Sequence, residues 1–434
     1  MKAQIISPPC VSSYVNLDYH FVELGETIAY LRRDPRWDVA LLDGIVPGTS
    51  WSEVVELLLE EPDVLMVHVT LENTAEAGRL VRLARDMLPS VRTACYGRGA
   101  FHIAHLFREL EVDWIVLEQD WEVALAGILS SVAGEASPLV PGTLTRTGDA
   151  YRHGGKGRSL QGHWELPALT ALPLTGYRTI PGDESRLQAD KPDVEMAIGI
   201  SRGCDAYCGY CPIPDVMGRT ETFRQNLPET AAYLEHAAQE LGFTSVSLFG
   251  ANFTRHRSFV EAFCATVSSA RTSITWKCVT SPAYLDERLV AQMAQSGCTR
   301  IAIGVESIRE DGRNRFAERV TADELAQVSS WCRAYDVALV CFVMAGLPAQ
   351  PAGELAYTLR TVDAVGGVPR PMVYVDFRRL RSVTAFEEVY WANRKSIVHP
   401  YTRGQLTAMD LALVAHDWRQ WLALHESRQV RAGI

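Results

Sequence analysis

What this 434-residue sequence lacks removes several classes of protein before any motif is considered. No stretch of about 18 apolar residues occurs, so a membrane-spanning helix is not expected. Basic residues are not in excess. The 42 Lys and Arg stand against 52 Asp and Glu, and a net charge of −10 argues against a nucleic-acid partner. Repeats and low-complexity tracts are absent, and with 47% apolar and 22% charged residues the chain is too hydrophobic to be disordered. The opening MKAQIISPPC carries one lysine and a short strand-like run, unlike a secretory leader, so a cytoplasmic location is expected. What remains is a small-molecule enzyme of two or three domains.

The chain changes character along its length. Residues 1–135 alternate apolar runs at 3–7, 38–43, 63–69, 91–96 and 113–118 with amphipathic stretches near 22–33, 51–60, 73–87, 100–110 and 121–132. That alternation predicts a doubly wound (Rossmann-like) α/β parallel sheet, which takes its ligands at the carboxyl ends of its strands. Residues 136–193 are rich in Pro, Gly, Thr and Arg and have no sustained period. They read as a connector, held down by Tyr151, Trp164 and Tyr177. From 194 to 384 the alternation returns, with strands expected at 195–201, 245–250, 273–279, 300–305, 338–344 and 372–377. Six βα units are fewer than the eight of a closed barrel and predict a partial, TIM-like (β/α)6 barrel. Residues 385–434, with Trp391, Trp418 and Trp421, read as a helical C-terminal cap.

Ten cysteines without a leader do not read as a disulfide framework. Seven are scattered (Cys10, Cys95, Cys264, Cys278, Cys298, Cys332 and Cys341), several of them in apolar runs, and read as small buried hydrophobes. The other three, Cys204, Cys208 and Cys211, lie together in ISRGCDAYCGYCPIP. A C-x3-C-x2-C pattern should arise by chance on the order of 0.005 times in such a chain, so the trio calls for a chemical cause. A structural zinc site wants four ligands, and His236 and His256 are poorly placed to supply the fourth. A redox C-x2-C pair would have no use for Cys204. Three thiolates on one tight loop suit a 4Fe–4S cluster with one iron left open, with zinc the remaining alternative. An open iron is a Lewis-acidic seat for a ligand with an amino-acid head, and electron transfer to a sulfonium there would break a carbon–sulfur bond homolytically.

GCDAYCGYCPIP, at the end of the first expected barrel strand, resembles the C-x3-C-x-aromatic-C signature of the radical S-adenosylmethionine (SAM) enzymes. The resemblance implies that Cys204, Cys208 and Cys211 each bind an iron, that SAM takes the fourth, and that Tyr210 lies against the adenine. LFGANFT (248–254) stands where the family binds the SAM amino group, which implicates Gly250 and Asn252, although the usual acidic or Gly-Gly-Glu form is absent. IGVES (303–307) and FVMAGLPAQ (342–350) are similar to the family's fourth- and fifth-strand segments. They implicate Glu306 and Ser307 near the ribose or methionine carboxylate, the other reading of Glu306 being a salt bridge at the strand end. Arg224 reads as structural rather than catalytic.

The order of a doubly wound domain, a connector and then this barrel resembles the cobalamin-binding subclass. The pieces that carry it are ELGETIAYLRR, PDVLMVHVT, GRGAFHIAH and VDWIVLEQDWEVAL. By that resemblance Thr70, Gly97, Gly99 and Glu118 would cradle the corrin ring of cobalamin. The chain has GRGAFH and LEQDWE where the subclass usually has Gly-Gly-Pro-His and Gly-Glu-x-Glu. DYHFVE (18–23) lacks the glycine of the D-x-H-x-x-G motif, so His20 reads as a solvated loop histidine. With cobalamin, the implied reaction is C-methylation of a small molecule of natural-product (antibiotic) biosynthesis, started by a 5′-deoxyadenosyl radical. Without it, a radical dehydration or epimerisation of a sugar or aminoglycoside is the alternative. Methylthiolation of RNA ranks lower, because the resembling enzymes carry a second three-cysteine set and a basic tail, whereas residues 1–135 hold only Cys10 and Cys95. A pure electron carrier would ligate its cluster with four cysteines. The expected partners are the substrate and an electron donor of flavodoxin or ferredoxin type, or a dedicated reductase. Near strand ends, Trp276, Tyr374, Asp376 and Arg378 are candidate substrate contacts, with core packing as the equal reading of Trp276 and Tyr374.

Overall fold

The structure is a computed structural model that describes residues 1–10, 17–118, 120–177, 195–206, 208–316, 319–389 and 406–432. Two compact units divide the chain: Met1–Asn226 with Asp376–Tyr390, and Leu227–Val375 with Trp391–Ile434. Among the described residues no helix is long and apolar enough to cross a membrane.

The first unit is built on a sheet whose strands are β1 (Lys2–Ser7), β2 (Asp38–Asp43), β3 (Val64–His68), β4 (Arg92–Tyr96), β5 (Trp114–Val116), β6 (Thr143–Thr147) and β7 (Ala150–His153). They are ordered β2-β1-β3-β4-β5-β6-β7. β1 to β5 are parallel, as their short apolar runs predict, and β3 is buried along its whole length because helices cover both faces. In such an order the connections leave β1 and β3 toward opposite faces, which opens a crevice at their carboxyl ends. The connector holds structure that its composition hid. β6 and β7 form an antiparallel hairpin that extends the sheet beyond β5. Its signal was present, since TLTRT and AYRH alternate on either side of a Gly148–Asp149 turn. Trp164 and Tyr177 are buried, and the Tyr151 hydroxyl donates to Val112 O at 2.6 Å. Within the same unit Phe386 packs edge-on to Phe107 and directly over Gly78.

Three further strands of this unit frame the cysteine motif: β8 (Glu195–Gly199), β9 (Ser201–Arg202) and β10 (Thr222–Phe223), the last two pairing antiparallel.

The second unit contains β11 (Ser245–Phe249), β12 (Thr275–Thr280), β13 (Cys298–Glu306), β14 (Ala338–Ala345) and β15 (Val368–Val373). They are parallel and hydrogen-bonded in sequence order. Amphipathic helices such as Arg257–Ala270 and Ala322–Ala334 join them, the latter closed at its start by a Thr321–Glu324 capping box. The last strand is displaced from the expected 372–377 to Val368–Val373. Pro369 and Pro371 argue against a strand, but β15 lies at the sheet edge, where a missing N–H leaves no ladder bond unmade. Ala408–His416 and Trp418–Ala432 are helices, with Trp421 buried and its indole N–H on Asp410. Trp391 lies outside the described residues.

Candidate active site

The three motif cysteines sit on a loop that β9 and β10 close at its base. Cys204 is buried and Cys208 and Cys211 are half-buried. The Cys204 N–H donates to Gly218 O at 3.0 Å, and the Cys211 N–H to Cys208 O at 3.1 Å, so a turn sets the spacing of the last two thiols. Gly203, just before the first cysteine, has φ +82°, and a Cβ there would lie 2.2 Å from Thr220 O. The two limbs of the loop thus touch backbone to backbone, and no other residue type fits. Tyr210 is half-buried on the turn before Cys211. Among the described residues no three His, Cys, Asp or Glu side chains converge on one ion. Three thiols on one loop, with no fourth cysteine in the motif, are the donor chemistry of a 4Fe–4S cluster with one iron left open. Of the scattered cysteines, Cys95, Cys264, Cys278, Cys298, Cys332 and Cys341 are buried, as their apolar settings predict, and Cys10 is half-buried.

In the second unit the residues singled out near strand ends divide into two groups. Gly250 follows β11 directly. Asn252 is buried, and its Oδ1 accepts from Thr280 Oγ1 (2.9 Å) and Ser281 N (3.1 Å), which ties the ends of β11 and β12 together. Glu306 ends β13 at φ +62°, beside a register shift against β14, with its carboxylate buried and Arg319 Nη2 at 3.8 Å. A side chain held at positive φ stores strain of about 1–3 kcal/mol, the kind of cost found at ligand sites. The Ser307 hydroxyl donates to Glu354 Oε1 (2.6 Å) and accepts from Gln350 Nε2 (3.0 Å), while Arg315 grips the same carboxylate from 2.7 and 3.1 Å. Trp276 lies near the start of β12 rather than at its end. It is fully buried against Phe253 and Phe263, and its indole N–H donates to Ser296 O at 2.9 Å. Tyr374 follows β15, half-buried, with its N–H on Ala345 O. In the first unit, Asp376 caps the helix Phe377–Leu380 by accepting from the Arg378 N–H, and the Arg378 side chain is exposed.

At the carboxyl end of the front sheet, charged side chains fill the interior. His20 is a correction to its solvated reading. It opens a π-helical turn, His20–Gly25, whose six residues are all buried, and its Nδ1 lies 2.7 Å from Asp43 Oδ2. Burial would lower its pKa, but the Asp43 carboxylate overrides this and raises it, and Tyr177 donates to Asp43 from 2.6 Å. Three residues on, Glu23 meets His68 Nε2 at 2.9 Å and pairs with Arg98. Of the four residues implicated in holding a corrin, Thr70 is buried, its N–H donating to Asn73 Oδ1 at 2.9 Å. Gly97 and Gly99 lie so close to Val69 O and Thr70 O that Cβ atoms there would stand 2.7 and 2.5 Å away. Glu118 accepts from the Gly157 N–H at 2.9 Å. At the end of the short helix Arg98–His102 that follows β4, His102 Nδ1 is buried with no hydrogen-bond partner, and burial followed by Arg381 lowers this imidazole to about 4.

Sequence reasoning missed a buried ion network of the first unit. The Arg202 guanidinium donates to Asp120 (2.8 Å), Glu122 (2.6 and 3.1 Å) and Glu26 (2.9 Å). Arg224 donates to Glu26 (3.0 Å), Gly199 O (2.8 Å) and Trp164 O (2.8 Å), which fits its structural reading. An arginine is rarely buried unless paired, but the partners lie up to 198 residues away and leave no local signal.

Comparison with known proteins agrees with this geometry. Residues 198–362 match the radical SAM superfamily. Over 101 residues, 22% of this chain, the sequence is 33% identical to ribosomal protein uS12 methylthiotransferase RimO of Chlorobium chlorochromatii (strain CaD3), and the match spans only 23% of that protein. Among solved structures, the radical SAM methyltransferase TsrM from Kitasatospora setae, with cobalamin and a 4Fe–4S cluster bound, superposes with a TM-score of 0.69 at 14% identity. That match covers 86% of this chain and 74% of TsrM. The cobalamin-dependent SAM radical enzyme OxsB, with aqua-cobalamin and SAM bound, gives 0.67 at 16% identity over 90% of this chain and 54% of its own. Residues 198–362 thus carry the radical SAM match, and the chain has the fold of TsrM and OxsB, with an N-terminal doubly wound parallel sheet, a TIM-like parallel βα region and a helical C-terminus.

Proposed function

We propose that the protein is a radical SAM methyltransferase that uses cobalamin and acts on an unreactive carbon of a small molecule. The observation that carries this reading is the closed loop bearing Cys204, Cys208 and Cys211 inside the superfamily match. These thiols would each hold one iron, leaving one iron for SAM, with Tyr210 beside the third ligand. The SAM amino-acid head would meet Gly250, Asn252, Glu306 and Ser307, and the strained, buried Glu306 carboxylate supports a ligand role there. When bound, the cluster supplies the electron that cleaves the sulfonium, and cobalamin supplies the methyl group. The unpartnered His102 Nδ1 at the carboxyl end of the front sheet fits a bound group in the region of Thr70, Gly97, Gly99 and Glu118. The chain's own part is to seat these groups, keep water out and hold one C–H bond in place, with Tyr374, Asp376 and Arg378 as candidate contacts. The second three-cysteine set that methylthiolating enzymes carry is absent from residues 1–135, which favours methyl transfer. An external one-electron donor of flavodoxin or ferredoxin type would complete the system.

The test is anaerobic reconstitution with and without hydroxocobalamin. The wild type should take up about four irons per chain, show corrinoid absorbance and place the labelled SAM methyl in product. Cys208→Ala should abolish SAM cleavage, and cleavage at the wild-type rate in that variant would refute the reading. Formation of 5′-deoxyadenosine alone, independent of corrinoid, would replace methyl transfer with a radical dehydration or epimerisation.

A further inference from the structure

One buried carboxylate holds the cysteine loop at three points. Glu26 opens the helix Glu26–Leu31 of the front sheet and is 0% exposed. Its Oε1 accepts from the Gly199 N–H at 2.8 Å, at the end of β8, and from Arg224 Nη2 at 3.0 Å. Its Oε2 accepts from Arg202 Nη2 at 2.9 Å. Arg202 ends the outgoing limb of the loop two residues before Cys204, and Arg224 follows the returning limb just after β10. The strand that leads into the loop and both limbs of the loop therefore converge on one side chain. Of the other donors, Arg202 reaches Asp120 and Glu122 through its two Nη atoms while its Nε is left without a hydrogen-bond partner, Arg224 reaches Trp164 O and Glu165 O, and the Trp164 indole donates to Gly199 O at 3.0 Å. A Cβ at Gly199 would meet the Glu26 carboxylate at 2.9 Å, so the backbone comes as near as glycine permits.

Resting on the reading that Cys204, Cys208 and Cys211 hold the cluster, we infer that Glu26 is a positioning residue for that cluster, clamping both limbs of its loop to the front sheet. A carboxylate does this where an amide cannot. Two acceptor oxygens face three donors, whereas the NH2 of a glutamine would point a donor at a guanidinium. The charge also counts. Three carboxylates (Glu26, Asp120, Glu122) surround two guanidiniums at the foot of the loop, and removing one negative charge there favours a cluster that has gained an electron.

Glu26→Gln tests the clamp on the reconstituted full chain, read by iron content, EPR-monitored midpoint potential and 5′-deoxyadenosine formation. The expected result is a less negative potential, an altered EPR signal and a rate about tenfold lower, within the range of a positioning contact. Far-UV circular dichroism should match the wild type. If Glu26→Gln does not fold, Arg224→Lys, which keeps the charge but loses the carbonyl anchors, should lower the rate and alter the EPR signal while leaving the potential near that of the wild type. Wild-type iron content, potential and rate in the variant that folds would overturn the clamp. Cys208→Ala separates this from the reading beneath it. A cluster lost in Cys208→Ala but untouched in Glu26→Gln removes the clamp alone, whereas a cluster retained in Cys208→Ala removes both.

Discussion

Gly203→Ala puts the loop geometry to a quantitative test. The added methyl would stand 2.2 Å from Thr220 O, 3.0 Å from Thr220 C and 3.2 Å from Gly218 O, all backbone atoms that cannot rotate away. The residue would also keep φ +82°, which costs an L side chain about 1–2 kcal/mol. Overpacking adds about 1–3 kcal/mol. The sum, about 2–5 kcal/mol, corresponds to a melting point lower by about 4–20 °C at roughly 2–4 °C per kcal/mol. To relieve the contact the two limbs must part by about 1 Å, a displacement that can cost on the order of 100-fold in a positioned reaction. Gly209→Ala is the matched control. It lies on the same loop between Cys208 and Cys211, and its Cβ would meet nothing within 4 Å, so a change of no more than about 0.5 kcal/mol is expected. Calorimetric melting and iron content should therefore separate the two variants. A Gly203→Ala protein that melts like the wild type and binds its full iron would show that the limbs do not meet as described, and the closed-loop argument would fail.

Two further outcomes follow from the buried side chains. Because Asp43 raises the His20 pKa against the opposing effect of burial, the pair stabilises the first unit fully below the unfolded value near 6.5. That contribution is lost as pH rises through the elevated folded value, at about 1.4 kcal/mol per pKa unit. Urea titrations from pH 6 upward should show this decline in the wild type and not in Asp43→Asn, and identical pH profiles would rule out a charged pair. Trp276→Ala empties a fully buried site among Phe253 and Phe263 and should cost about 3–5 kcal/mol, with SAM cleavage falling only as the folded fraction falls. A stable variant with a raised KM for substrate would return Trp276 to the substrate contacts.

The sequence alone determined what depends on short spacing. The thiols of Cys204, Cys208 and Cys211 are bound to one loop by the eight residues from first to last, so their chemistry could be read before any fold was known. The alternation of apolar runs with amphipathic stretches likewise determined the parallel sheets, because a strand buried on both faces must be apolar throughout. The tertiary structure decided what depends on partners far away in the chain. His20 looks like a loop residue until Asp43 and Tyr177 close over it, and Tyr177 lies 134 residues from Asp43. Glu26 and Arg202 are 176 residues apart, and neither shows any sign of the other in its neighbours. The prolines of β15 spoke against a strand until its place at the sheet edge made their missing N–H groups harmless. Local periodicity reports which face of an element is buried. Which charge meets which inside that burial is set only when the chain closes on itself, because a buried ion survives only beside its counter-ion.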